Sequence, residues 1–142
     1  SWRRTWGDDL VNPDIQMFVL YHSVNGDNEL GISVGMRKGR YGIVKAYARR
    51  GLQKTNNVVF THELLHVLGA TDKYVMNTGE PIFPEGYAAP DRTPLFPQTH
   101  AEIMGGRIPV DPQTSRMPRS LEQCRIGKVT AVEIGFFAQL QK

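Results

Sequence analysis

Eight of the nine prolines fall between Pro81 and Pro118, in "PIFPEGYAAPDRTPLFPQ" and "RIPVDPQTSRMP". Proline fixes φ and removes a backbone donor, so this stretch cannot sustain a helix or an inner strand. Regular structure is thereby confined to the chain before about residue 76 and to its last fifteen residues. An irregular segment this long inside a compact domain is ordinarily functional or disordered. Phe83, Tyr87, Leu95, Phe96 and Ile103 lie in it, and they predict an ordered, packed loop.

Ahead of the prolines, "IQMFVLYHSV" (15–24) is nearly all apolar, as in a strand covered on both faces. "NGDN" marks a turn, and "LGISVGM" (30–36) and "YGIVKAYA" (41–48) read as two more strands. A helix over 57–69 comes next, with Asn57 as its cap and Gly69 at its left-handed end. At the other end of the chain, Thr130 followed by Glu133 forms a capping box, which predicts a helix over 131–141. These elements indicate an α+β class.

The chain has 142 residues, 40% hydrophobic and 22% charged. That fits one globular domain rather than a disordered chain. No apolar run approaches the ~20 residues of a membrane span, so no membrane partner is expected. Net charge is +3, and nine of the seventeen Lys and Arg residues precede residue 55. A basic face of this kind is ordinarily a solvated one. The nucleic-acid signatures that would argue otherwise, an aromatic RNP stretch or a Cys/His finger, are absent. Cys124 is the single cysteine, which excludes an internal disulfide and leaves the compartment open. Ser1 rather than Met begins the sequence, as in a chain secreted or released from a larger precursor.

The chemistry sits in "THELLHVLGATDKY" (61–74). At ~100° per residue, His62 and His66 project within about 40° of each other, with Glu63 on the flank. Phe60, Leu64, Val67 and Leu68 cover most of the opposite side. A helix apolar nearly all round is buried, and its His, Glu and His then need partners. A zinc ion satisfies two imidazoles one turn apart and leaves the glutamate beside it as a base. The blander alternative is a pair of hydrogen-bonded core histidines. By composition, H-E-x-x-H arises by chance in roughly one such sequence in 200, and adding Gly69 and Asp72 lowers this to very roughly one in 20,000. His100 and Glu102 are rival third ligands. His22 reads as an ordinary strand histidine, and Cys124 as a small buried group rather than a latency thiol.

His62-Glu63-x-x-His66-x-x-Gly69-x-x-Asp72 resembles the metzincin zinc-protease signature in its aspartate form, closest to the snapalysin-like group, with Tyr74 two positions on. "HAEIMGGR" (100–107) resembles the second metzincin mark, the Met-turn, with Met104 as its methionine. The resemblance implies a single catalytic domain over 1–142. Residues 1–76 would form an upper part of small mixed sheet and active-site helix, and 77–142 a lower part of loop, Met-turn and C-terminal helix. It implies one catalytic Zn²⁺ held by His62, His66 and Asp72, with Glu63 as general base. Tyr74 or Tyr87 would help hold the oxyanion. The substrate would be a peptide laid along strand 30–36, the antiparallel edge. Only about 55 residues precede the helix, so the N-terminal strands and helix of that fold are reduced or supplied from upstream. The expected activity is zinc endopeptidase. A catalytically idle module keeping the fold, and a basic nucleic-acid-binding domain, are the alternatives.

Overall fold

The computed structural model describes residues 14–23, 33–36 and 40–136. Within them the architecture is mixed α and β, with small sheets and one main helix. A three-stranded sheet has the order β1(Gln16–His22), β3(Tyr41–Tyr47), β2(Val34–Met36). β1 runs parallel to β3, while β2 pairs with β3 antiparallel and forms an edge.

The long helix α1 spans Gln53–Leu68 and packs on β3 and β2. Two glycines make that approach possible. Gly35 of β2 and Gly42 of β3 face each other in register. A Cβ on Gly35 would come within 2.4 Å of the Glu63 carbonyl oxygen and 2.6 Å of the His66 Cβ, and one on Gly42 within 3.4 Å of Val67. Gly35 therefore lets the backbone of α1 come close beneath the histidine motif. Gly42 leaves room for the Met17 side chain, which a Cβ would meet at 2.8 Å, beside Val67. β3 buries Gly42, Val44 and Ala46 at alternate positions, the period expected of one face turned to a helix.

β1 differs from expectation. Among the described residues it is uncovered on both faces, with Phe18 52% and Tyr21 68% exposed. The apolar run predicted a strand sandwiched on both sides, but α1 packs chiefly on β3 and β2. Composition marked the strand; only packing could say whether anything covers it.

The helix also begins earlier than its supposed cap. A 3₁₀ turn, Arg50–Leu52, leads straight into α1, whose N-cap is Leu52 with no side-chain bond. Asn57 is therefore interior. Its neighbour Asn56 has the bonding role instead. The Asn56 Nδ2 donates to the Tyr47 carbonyl at 2.8 Å, and its Oδ1 accepts from the Tyr47 N–H at 3.0 Å, fastening α1 to the end of β3. At the other end Gly69 adopts φ 115°, as its position after the motif requires.

The proline-rich half is packed from loops and short pairings. β4(Ala101–Glu102) runs parallel to β7(Cys124–Arg125), and β5(Ile108–Pro109) antiparallel to β6(Ser115–Arg116). Buried Gln98 organises the loop. Its amide donates to the carbonyls of Ala89 and Leu95 and accepts from the Ala89 N–H. Val58 and Leu65 of α1 meet Ala101, Ile103, Met104 and Ile108 in one core cluster.

The last described helix, α2, covers Lys128–Glu133. The capping box is not formed, because α2 starts from Gly127 and both box residues bond elsewhere: the Thr130 hydroxyl donates to Glu102, and Glu133 accepts from Thr71 and Lys73. Of the helix predicted over 131–141, residues from 137 onward lie outside the described set.

Candidate metal centre

The three ligand atoms expected from the motif converge. His62 Nε2 and His66 Nε2 lie 3.1 Å apart, and Asp72 Oδ1 lies 3.1 Å from the first and 3.0 Å from the second. The order of the chain explains the meeting. His62 and His66 share a face of α1, Gly69 reverses the backbone, and Asp72 returns to the same point.

The other ring nitrogens decide what kind of meeting this is. His62 Nδ1 is 3.0 Å from the Ile103 carbonyl and His66 Nδ1 is 2.9 Å from the Ala70 carbonyl. A carbonyl oxygen only accepts, so both rings donate from Nδ1, and a neutral imidazole held that way presents a bare lone pair at Nε2. Two such lone pairs and a carboxylate oxygen therefore face one another. They repel unless a cation, or a proton taken up by one ring, lies among them. The same backbone anchoring of the distal nitrogen is what orients histidines that bind metal. Donor atoms around a four-coordinate ion at ~2.0–2.1 Å stand about 3.3 Å apart, close to the spacings here. His62, His66 and Asp72 could thus hold a metal ion.

The electrostatics agree. Burial alone would raise the Asp72 carboxyl, but its bonds with both histidines outweigh this and hold it well below the usual range. His66 is raised, chiefly by its bond with Asp72. Glu63, 7% exposed, is pushed up by burial, although the two histidines partly counter this. A backbone hydrogen bond from Gly35 of the edge strand reaches it.

Tyr74 stands beside the cluster, its ring 6.3 Å from that of His62 and its phenol near enough to Asp72 to feel its charge. Burial and the negative charge of Asp72 both raise its phenol. Tyr87 is placed differently. It stacks edge-on with Phe83 and Phe96 and lines a separate pocket with Ile126 and Val129. Of the two tyrosines, only Tyr74 lines the pocket that includes His62.

Met104 is wholly buried in a tight turn beneath the site, with Gly106 at φ 74° and a backbone bond from Gly106 N–H to the Glu102 carbonyl. The turn reaches the cluster through its backbone. Its Ile103 carbonyl fixes His62, and its Met104 carbonyl accepts from the Lys73 N–H, next to Asp72. Gly105 packs so tightly that a Cβ would lie 2.3 Å from the Gly86 carbonyl oxygen, locking turn and proline-rich loop together.

Glu102 is not a ligand. It is 0% exposed, and both its oxygens are committed. One accepts from the N–H groups of Met104 and Gly105 at 2.7 and 2.9 Å; the other accepts from Gly127 N–H and the Thr130 hydroxyl at 3.0 and 2.7 Å. It braces the methionine turn against the start of α2. His100 also stands apart from the ligand set, bonded to the Thr99 hydroxyl. Glu102→Ala would leave several buried donors without acceptors. It should cost about 3–5 kcal/mol in urea unfolding and weaken metal binding through the slackened turn, which isothermal titration would show.

Sequence reading missed a second brace. Lys73, 3% exposed, donates from Nζ to Glu133 of α2 at 2.7 Å and to the Thr71 carbonyl at 2.9 Å, while Glu133 also accepts from the Thr71 N–H and hydroxyl. Asp72 is thereby clamped on both sides. Nothing in "TDKY" distinguishes a buried lysine from a solvated one; only docking of α2 supplies its partner. The two strand glycines did carry a signal, since glycine inside a strand marks a close backbone approach.

Cys124 is buried and its thiol pushed up to about 11 by that burial. It fills space in the core cluster and is far from being a thiolate at neutral pH.

No family model, curated protein or solved structure matches the chain.

Proposed function

We propose that the protein is a zinc-dependent endopeptidase of metzincin type. The observation that carries the reading is the convergence of two bare imidazole nitrogens and a carboxylate oxygen within 3.1 Å, beside a buried glutamate. Three protein donors of this type leave a fourth position for water or substrate, the pattern of catalytic rather than structural sites. On this reading the three strands stand for the last three of the larger metzincin sheet, with β2 as its cleft-side edge, and Met104 is the methionine of the Met-turn.

His62, His66 and Asp72 would hold the ion. Bound there, zinc supplies Lewis acidity, polarising the scissile carbonyl and lowering the pKa of a water towards ~7. The chain's own groups do the rest. The free edge of β2 pairs with an extended peptide through main-chain hydrogen bonds. Glu63, raised by burial towards the range of a general base and aligned by the Gly35 N–H, takes the proton of the attacking water. As the carbonyl carbon–nitrogen bond breaks, Glu63 returns that proton to the leaving amine. Tyr74 stands beside His62 and Asp72 and is the tyrosine placed to meet the developing oxyanion.

The test has two readings from one preparation. Metal analysis of purified protein should find one zinc per chain, and an unbiased peptide mixture should be cut internally, with loss on chelation and recovery on adding zinc. Stoichiometric iron, or cutting that survives chelation, would overturn the zinc assignment. Zinc without any cleavage would leave an idle binding module.

A further inference from the structure

Beside the cluster lies a pocket of about 280 Å³, whose walls include Val58, His62, Tyr74, Ile103, Arg107 and Met117. His62 belongs to both pocket and cluster, so whatever enters the pocket is next to the reacting bond. Its volume falls at the small end of ligand sites and suits one side chain rather than a large molecule. Most of the wall is apolar. His62, Tyr74 and Arg107 are the exceptions, and Arg107 is the only one of them from the Lys, Arg, Asp and Glu set.

Arg107 is half-buried, yet its guanidinium makes no hydrogen bond or ion pair with any described residue. It lies against the backbone of Gly79, where an added Cβ would come within 3.3 Å of Nε and 3.7 Å of Cζ. Glu80, next in sequence to Gly79, makes no ion pair with Arg107 within 4.0 Å and accepts from the Ser115 hydroxyl at 2.8 Å. A guanidinium on a half-buried residue, without a counter-ion among the described residues, carries a standing cost. Its planar fork matches a carboxylate, which would bind bidentately and relieve that cost.

We infer that Arg107 makes this pocket a carboxylate reader, so that the preferred substrate carries a carboxylate on the residue adjoining the cleaved bond. The carboxylate belongs to an Asp or Glu side chain, as internal cutting requires; the peptide's own C-terminus in this pocket would make the protein a carboxypeptidase instead. The inference rests on the peptidase reading for the cleaved bond, but the carboxylate preference can be measured without cleavage.

Two measurements separate the claims. In the first, the parent and Arg107→Gln each digest an unbiased peptide mixture, and mass spectrometry reads the residues flanking each cut. In the second, Glu63→Gln, which should bind without turning over, is titrated with labelled peptides by fluorescence anisotropy. These pairs differ as Glu against Gln, or as free C-terminus against amide. The parent should cut next to carboxylates, and carboxylate peptides should bind about 10- to 100-fold tighter than their neutral partners, the range of charge-assisted hydrogen bonds. Placing Arg107→Gln in the Glu63→Gln background should abolish that difference, and Arg107→Glu should shift preference to Lys and Arg. A difference given by the free terminus and not by Glu would overturn the side-chain assignment and with it internal cutting. Cuts with no acidic preference and no response to Arg107→Gln would sink the carboxylate pocket and leave the peptidase standing. An Arg107-dependent carboxylate preference without any cutting would sink the peptidase and leave the pocket.

Discussion

Asp72→Ala, stripped of metal and titrated with zinc at one pH, should bind more than about a hundredfold more weakly than the parent. Loss of a supporting partner alone typically costs 10- to 100-fold in affinity, and loss of a ligand should exceed that. The fixed pH matters because protons compete for the histidines. At zinc a thousandfold above the parent dissociation constant, linkage stabilises the parent by about 4 kcal/mol; a hundredfold weaker site retains only about 1.4 kcal/mol. The zinc-dependent rise in melting temperature should therefore largely disappear. Asp72→Asn, which keeps the shape but not the charge, should lie between the two. His100→Ala is the clean control and should bind as the parent does, because His100 stands apart from the ligand set. Glu102→Ala cannot serve as a control, since its carboxylate braces the turn. Parent-like zinc affinity in Asp72→Ala would mean that the convergence of Oδ1 with the two Nε2 atoms is an ion pair and not a metal site.

Glu63→Gln should keep one zinc per chain and lose turnover by about 10²–10⁴-fold, the usual weight of a general acid–base. Glutamine matches the volume of the buried glutamate and can still accept from the Gly35 N–H. It also carries no charge to desolvate, so the variant should fold as well as the parent. The decisive comparison sets metal content against the single-turnover rate. Were zinc lost along with activity, Glu63 would be coordinating. Were activity retained, the proton would be moved by some other group.

Much of the site was legible because it is local. His62, Glu63 and His66 belong to one helix, and a four-residue spacing on an apolar helix leaves few alternatives for where they point. Gly69 and Asp72 follow within a single reversal of the chain, so spacing alone carried them to the same place. Met104 was legible as a turn residue for a similar reason, because "MGG" is a bend wherever it occurs. The errors came where one local signal competed with distant partners. Asn57 has the chemistry of a cap, but Asn56, one residue away, faces β3 and forms the bonds. Thr130 and Glu133 have the spacing of a capping box, yet buried Glu102 and Lys73 draw them into tertiary bonds worth more than a cap at a helix end.

The sequence by itself determined where regular structure could form and which side chains would share a helix face, because backbone propensity and periodicity act within a few residues. It also determined that the prolines would exclude helix and inner strand from residues 81–118, though not the two-residue pairings of β4 with β7 and β5 with β6. Only the tertiary structure decided who partners whom across the chain. Glu102 could have been a ligand or a brace, and the four donors brought to it from residues 104, 105, 127 and 130 made it a brace. Arg107 could have been one more solvated cation, and the approach of Gly79 and the pocket beside His62 set it next to the cluster instead. The physical reason is common to both. A charged side chain is defined by what desolvates it and what answers its charge, and those groups come from segments that no local pattern links.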